Sequence, residues 1–138
     1  MANSNATAVI IELLGDRGNV VRYTVADATA VAKGDLMTIN NPRTVTVTAA
    51  DNNPFAGIAV SEKVANDGAI TIGCYTKGIF DLEQKTGVTG TAGEKCSIAG
   101  KNIISKVAAA DLLFADVGIY LEDATAEEII AVFVGGGN

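Results

Sequence analysis

A chain of 138 residues fits one domain, and at that length about two-thirds of the unfolded surface can be buried with no disulfide or metal to staple the fold. Ten scattered basic residues against 16 acidic ones give a net charge of −6 and no basic stripe, which argues against binding a nucleic-acid backbone. Histidine is absent, so Ser-His and Cys-His nucleophile pairs and most transition-metal sites are excluded. Apolar residues reach 49% with aromatics at 5% and no Trp, so the core must come mainly from Val, Ile, Leu and Ala, which favours strands.

In chain order, residues 1–8 are small and polar and read as a flexible or extended arm. The arm lacks the positive start of a signal peptide and no apolar run approaches the length of a membrane span, so a soluble protein made in the cytoplasm is expected. Val9–Leu14 is an apolar run ended by the loop cluster Gly15–Asn19, and Val20–Val25 has strand composition, so the two could form a hairpin. Ala26–Ala32 fits either a helical turn or a strand. Gly34-Asp35 turns the chain into Leu36–Ile39, and Asn40-Asn41-Pro42 turns it again into Thr44–Thr48, whose strict alternation gives one core face and one open face.

Asp51-Asn52-Asn53-Pro54 is the strongest loop signal, and the nearly unbroken apolar run Phe55–Val60 predicts a strand covered on both faces. Gly57 within it marks a bulge or a close approach of another backbone. Ala69–Thr76 and Ile79–Leu82 read as one strand broken by a bend at Lys77-Gly78, and Glu83–Gly93 as a surface loop. Glu94–Ile98 and Ile103–Val107 flank a turn at Gly100-Lys101-Asn102, Ala108–Ala115 has the composition of one or two helical turns, and Val117–Leu121 and Ile129–Val134 are the last strands. Residues 135–138 read as a disordered tail behind a single β domain over 9–134. Self-comparison shows no repeat of fixed period. The fold class is therefore all-β, a small barrel or tulip- or sandwich-like domain with at most one or two short helices.

Nothing in the chain has the spacing of a catalytic or metal site. Cys74 and Cys96 lie in strand-like surroundings without Cys-x-x-Cys spacing and are expected to be buried thiols, although a disulfide between them stays open. The pairs Asp81/Glu83 and Glu122/Asp123 fall at strand ends, where acids face solvent. Gly87–Lys95 lacks the phosphate-loop spacing and reads as a hairpin loop, and Asp51–Asn53 falls short of a calcium loop.

The order Lys33-Gly34-Asp35-Leu36, a Thr/Val strand, Pro54-Phe55-Ala56-Gly57-Ile58-Ala59 and Lys77-Gly78-Ile79-Phe80 resembles the decoration, or cement, proteins of tailed-phage capsids, over roughly residues 18 to 134. The resemblance implies a β-barrel or β-tulip protein that assembles on the outer face of the virion, often as a homotrimer, and clamps neighbouring major capsid subunits. It implies no enzyme activity, cofactor, metal, small-molecule substrate, nucleic acid or membrane. A neighbour-binding arm is expected at Ala6, Thr7, Ala8, Val9, Ile10 and Ile11, with Val9–Ile11 and the strand 129–134 contributing to the trimer. The alternative is a β-sandwich module that binds carbohydrate or protein on a virion or cell surface.

Overall fold

The computed structural model describes residues 5–12, 20–50, 53–107, 116–125 and 129–135. Eleven strands run in order: β1 (Val9–Glu12), β2 (Val20–Val25), β3 (Leu36–Asn41), β4 (Thr44–Val47), β5 (Phe55–Ala59), β6 (Thr71–Tyr75), β7 (Gly78–Gln84), β8 (Lys95–Gly100), β9 (Ile103–Lys106), β10 (Asp116–Tyr120) and β11 (Ile129–Val134). No helix occurs among the described residues, and the all-β barrel expectation holds. The helical turns expected over Ala108–Ala115 and the loop Gly15–Asn19 lie outside the described residues, as do the ends of the arm and tail, 1–4 and 136–138. Ala26–Ala32 is a turn followed by a single bridge from Val31 to Lys63.

The strands close two barrels. In the first, β2 pairs with β4 in parallel and with β6 antiparallel, while β3 pairs with β4 and β5, and β5 with β6. The second repeats that wiring strand for strand: β7 with β9 in parallel and with β11 antiparallel, β8 with β9 and β10, and β10 with β11. Even the isolated bridge recurs, Val31 to Lys63 in one barrel and Gly90 to Ala124 in the other. The molecule is thus a tandem repeat of one five-stranded barrel, which the sequence comparison missed.

The repeat is fixed by a few backbone positions. Gly34 and Gly93, at φ +91° and +93°, turn the chain into β3 and β8, and a carboxylate one residue later caps each turn. Asp35 accepts from Ala32 N–H and Glu94 from Thr91 N–H, both at 2.8 Å. The hairpins β3–β4 and β8–β9 each turn on a left-handed residue, Arg43 and Asn102. Gly57 lies where a Cβ would sit 2.7 Å from Tyr75 O, and Gly118 where one would sit 2.0 Å from Phe133 O. The close backbone approach expected at Gly57 is therefore present, and a register shift in the β3–β5 pair accompanies it.

Three pairings depart from expectation. The β1–β2 hairpin does not form: β1 lies antiparallel on β7, with Val9 opposite Asp81 and Ile10 opposite Phe80, whereas β2 is occupied on its two sides by β6 and β4. The stretch read as one bent strand is two, and Thr76-Lys77 is the link between the barrels. Finally, β7 runs on through Glu83 and Gln84, both buried, and it does not pair with β8, so the segment leading to Lys95 is a barrel connection rather than a hairpin loop.

Both barrels contribute to one core cluster. On β3, Met37 points into the first barrel, while Leu36, one residue earlier and on the opposite face, packs with Phe80, Leu82, Ile98, Ile104 and Val132 of the second. Ile58 of β5 joins it there. Each such fully buried aliphatic side chain contributes about 2 kcal/mol. Tyr75 and Phe80, on either side of the link, stack at a tilt with centroids 5.9 Å apart.

Candidate interaction surface

The arm runs along its own barrels before it reaches β1. Ala6 N–H donates to Glu83 Oε1 at 3.1 Å, Ala8 N–H donates to Gly34 O at 2.8 Å, and Asn5 O accepts from Asn102 Nδ2 at 3.3 Å. Ala6, Thr7 and Ala8 are half-buried as a result. Beyond them Val9, Ile10 and Ile11 are exposed by 58%, 37% and 52%. Successive strand residues point to opposite faces, Val9 with its partner Asp81 and Ile10 with its partner Phe80, so the exposed run is apolar on both faces of β1. Behind it a cleft of about 230 Å³ is lined by Ala8, Val9 and Ile10 on one side and Gly34, Ile58 and Tyr75 on the other. Of the expected site residues, the structure therefore separates Ala6–Ala8, half-buried against the barrels, from Val9–Ile11, which are exposed, with Val9 and Ile10 also lining the cleft.

Three of the four acids considered from sequence act as hydrogen-bond acceptors, and Glu83 does not face solvent as expected, because β7 carries it into the structure. Glu83 is buried and holds the arm, Glu122 accepts from Ala131 N–H at 3.0 Å, and Asp123 accepts from Ala92 N–H at 3.0 Å. Asn53 accepts from Ala49 and Ala50 N–H, closing its loop, while Asp51 and Asn52 lie outside the described residues. Cys74 and Cys96 are free and buried, as expected, and burial pushes both thiols up to about 12. Such thiols stay protonated and are poor nucleophiles. Among the described residues, no three His, Cys, Asp or Glu side chains are placed so that they could hold a metal ion together.

Two polar centres escaped the sequence reading. Lys63 is 4% exposed, yet its ammonium donates to the carbonyls of Asp27 at 2.7 Å, Thr29 at 3.1 Å and Val64 at 3.3 Å and pairs with Asp67 at 3.3 Å. Asp67 is held below the usual carboxylate range by the Ala69 N–H, with the Lys63 ammonium adding to it. This lysine ties the turn after β2 to the loop after β5, a structural task. Asn102, at the joint between the barrels, is the second. Its left-handed backbone after Gly100-Lys101 was the available signal, since Asn tolerates that conformation.

The family model of phage cement proteins matches residues 15–135, and the chain belongs to that family. A comparison with curated proteins finds no match. The resemblance read from the glycine-bounded strands is thereby shown, and with it a structural protein of the phage capsid.

Proposed function

We propose that this protein binds the outer surface of a phage head and stabilises it by clamping neighbouring major capsid subunits, associating with itself as a homotrimer and performing no catalysis. The observation that carries the capsid contact is the exposed aliphatic run Val9–Ile11 on β1. It is anchored to the body through β7 rather than left mobile, so docking it costs little conformational entropy. Arrays of copies at symmetric positions multiply a modest contact of this kind. Ile129, 56% exposed on β11, lies on the other side of β7 from β1, and this exposed aliphatic side chain supports contact between copies through the strand 129–134. Synthesis in the host cytoplasm before assembly on the head is part of the same reading.

The test is substitution of Val9 and Ile11 by Ser. Both side chains face solvent, so the fold should keep its unfolding midpoint, while capsid occupancy at subsaturating protein falls at least tenfold. Unchanged occupancy would remove β1 from the contact.

A further inference from the structure

The barrels meet through a tip-to-base contact that each chain makes once, although each barrel carries both halves of it. Asn102, at the tip of the β8–β9 hairpin and 2% exposed, sits on the base of the first barrel where β3 begins. Its Oδ1 accepts from Leu36 N–H at 2.8 Å, its Nδ2 donates to Asp35 Oδ1 at 2.8 Å, and its own N–H donates to Thr48 Oγ1 at 3.3 Å. Asp35, Leu36 and Thr48 are all buried.

The counterparts of these surfaces are exposed, though Glu94 accepts from Thr91 N–H and Lys95 pairs with Asp116 at 3.7 Å. Arg43 occupies the position of Asn102 on the first barrel, with the same left-handed backbone (φ 49° against 56°), and is exposed together with Asn40, Asn41 and Pro42. Glu94 and Lys95 occupy the positions of Asp35 and Leu36 on the second barrel and are also exposed. A Cβ on Gly34 would strike Ala8 O at 2.5 Å, whereas one on Gly93 meets nothing within 4 Å. Among the described residues, one barrel thus has a covered base and an exposed tip, and the other a buried tip and an exposed base. Val107 replaces Thr48, and a guanidinium has no acceptor to offer the Lys95 N–H in the place of Leu36, so two of the three bonds have no counterpart and only the bond from donor to carboxylate can recur.

The exposed pair is also complementary in charge. An amide on a carboxylate joins the barrels within the chain, and a guanidinium and a carboxylate stand in the equivalent places outside it. Arginine is uncommon at a left-handed turn position, where Asn or Gly fits better, and its Nε donates to Arg22 O at 3.3 Å, which holds the exposed guanidinium beside β2.

We propose that Arg43 of one copy docks on Glu94 of a second copy, repeating between chains the contact that Asn102 and Asp35 make within one. The contact is head-to-tail, so it generates a ring where the rotation closes. Closed at three copies, it arranges the barrels as an alternating ring of six. This specifies the self-association proposed above and does not depend on capsid binding.

Sedimentation velocity and native mass spectrometry over a concentration series test it, with circular dichroism confirming the fold of each variant. Arg43→Glu and Glu94→Arg should each weaken association about tenfold or more, and the double variant R43E/E94R should recover it. Glu94→Gln, which keeps an acceptor for Thr91 N–H, should weaken association without disturbing the turn. Raising the ionic strength should weaken the wild type and leave R43E nearly unaffected. Self-association indifferent to all three single variants would overturn the Arg43–Glu94 contact and leave the trimer reading standing. A wild type that stays monomeric at every accessible concentration would overturn both.

Discussion

At the scale of single residues, the most consequential side chain is Asn102, because from the second barrel it satisfies groups of the first in a place water does not reach. Asn102→Ala leaves Leu36 N–H and one oxygen of Asp35 buried without it, and should cost about 2–4 kcal/mol in urea unfolding. The neighbouring variant Lys101→Ala, on an exposed side chain, should stay within about 0.5 kcal/mol. Thr38 gives the opposite sign. Its hydroxyl is buried with no hydrogen-bond partner among the described residues, so Thr38→Val should raise stability by about 1 kcal/mol in the same assay. For the cysteines, burial holds both thiols near 12, so at pH 8 the folded protein should resist a thiol reagent and expose two reactive groups only on unfolding. Rapid labelling of the native protein would show that one of these strands opens freely.

At the scale of elements, the strands were legible because their signals are local, and the pairings were not because theirs are distant. Alternation in Thr44–Thr48, the apolar run Phe55–Val60 and the turn at Gly100-Lys101-Asn102 each report on a few neighbouring residues, and each element formed where expected. The proximity of Val9–Leu14 to Val20–Val25 suggested a hairpin, yet β1 finds its partner in β7, far along the chain, with an apolar surface that local pattern does not encode. The repeat was hidden for a related reason. Its landmarks are backbone conformations shared by different residues, Arg43 with Asn102 and Asp35 with Glu94, and the spacing of equivalents shifts where loop lengths differ, so no fixed period survives. Gly118 is where the element scale can be tested. A methyl there must displace the Phe133 carbonyl in the β10–β11 pair, and Gly118→Ala should destabilise by about 3 kcal/mol or more. Tolerance of that alanine would mean the two backbones are not in close approach.

At the scale of the whole molecule, the repeat of the barrel explains how small aliphatic side chains make a solid body. Each barrel alone is a short chain with a thin core, and Leu36 and Ile58 on the outer face of the first barrel complete the core of the second. We expect the barrels to unfold as one unit, with a single transition that coincides by circular dichroism and by tyrosine fluorescence; two separated transitions would show them to be independent domains. The candidate site was partly legible: the arm and its aliphatic residues could be named, but the contacts that tie Ala6 and Ala8 down and leave Val9–Ile11 exposed depend on Glu83 and Gly34, distant in sequence.

The central claim, that this cement protein binds and stabilises a phage head, is tested most directly by titrating the purified protein onto capsids of the phage that encodes it, assembled without it, and weighing the bound copies. The account predicts uptake that saturates at a fixed ratio to the major capsid protein and raises the temperature at which the heads break. Heads that take up none of it, or that bind it without limit and break at the same temperature, would contradict the account.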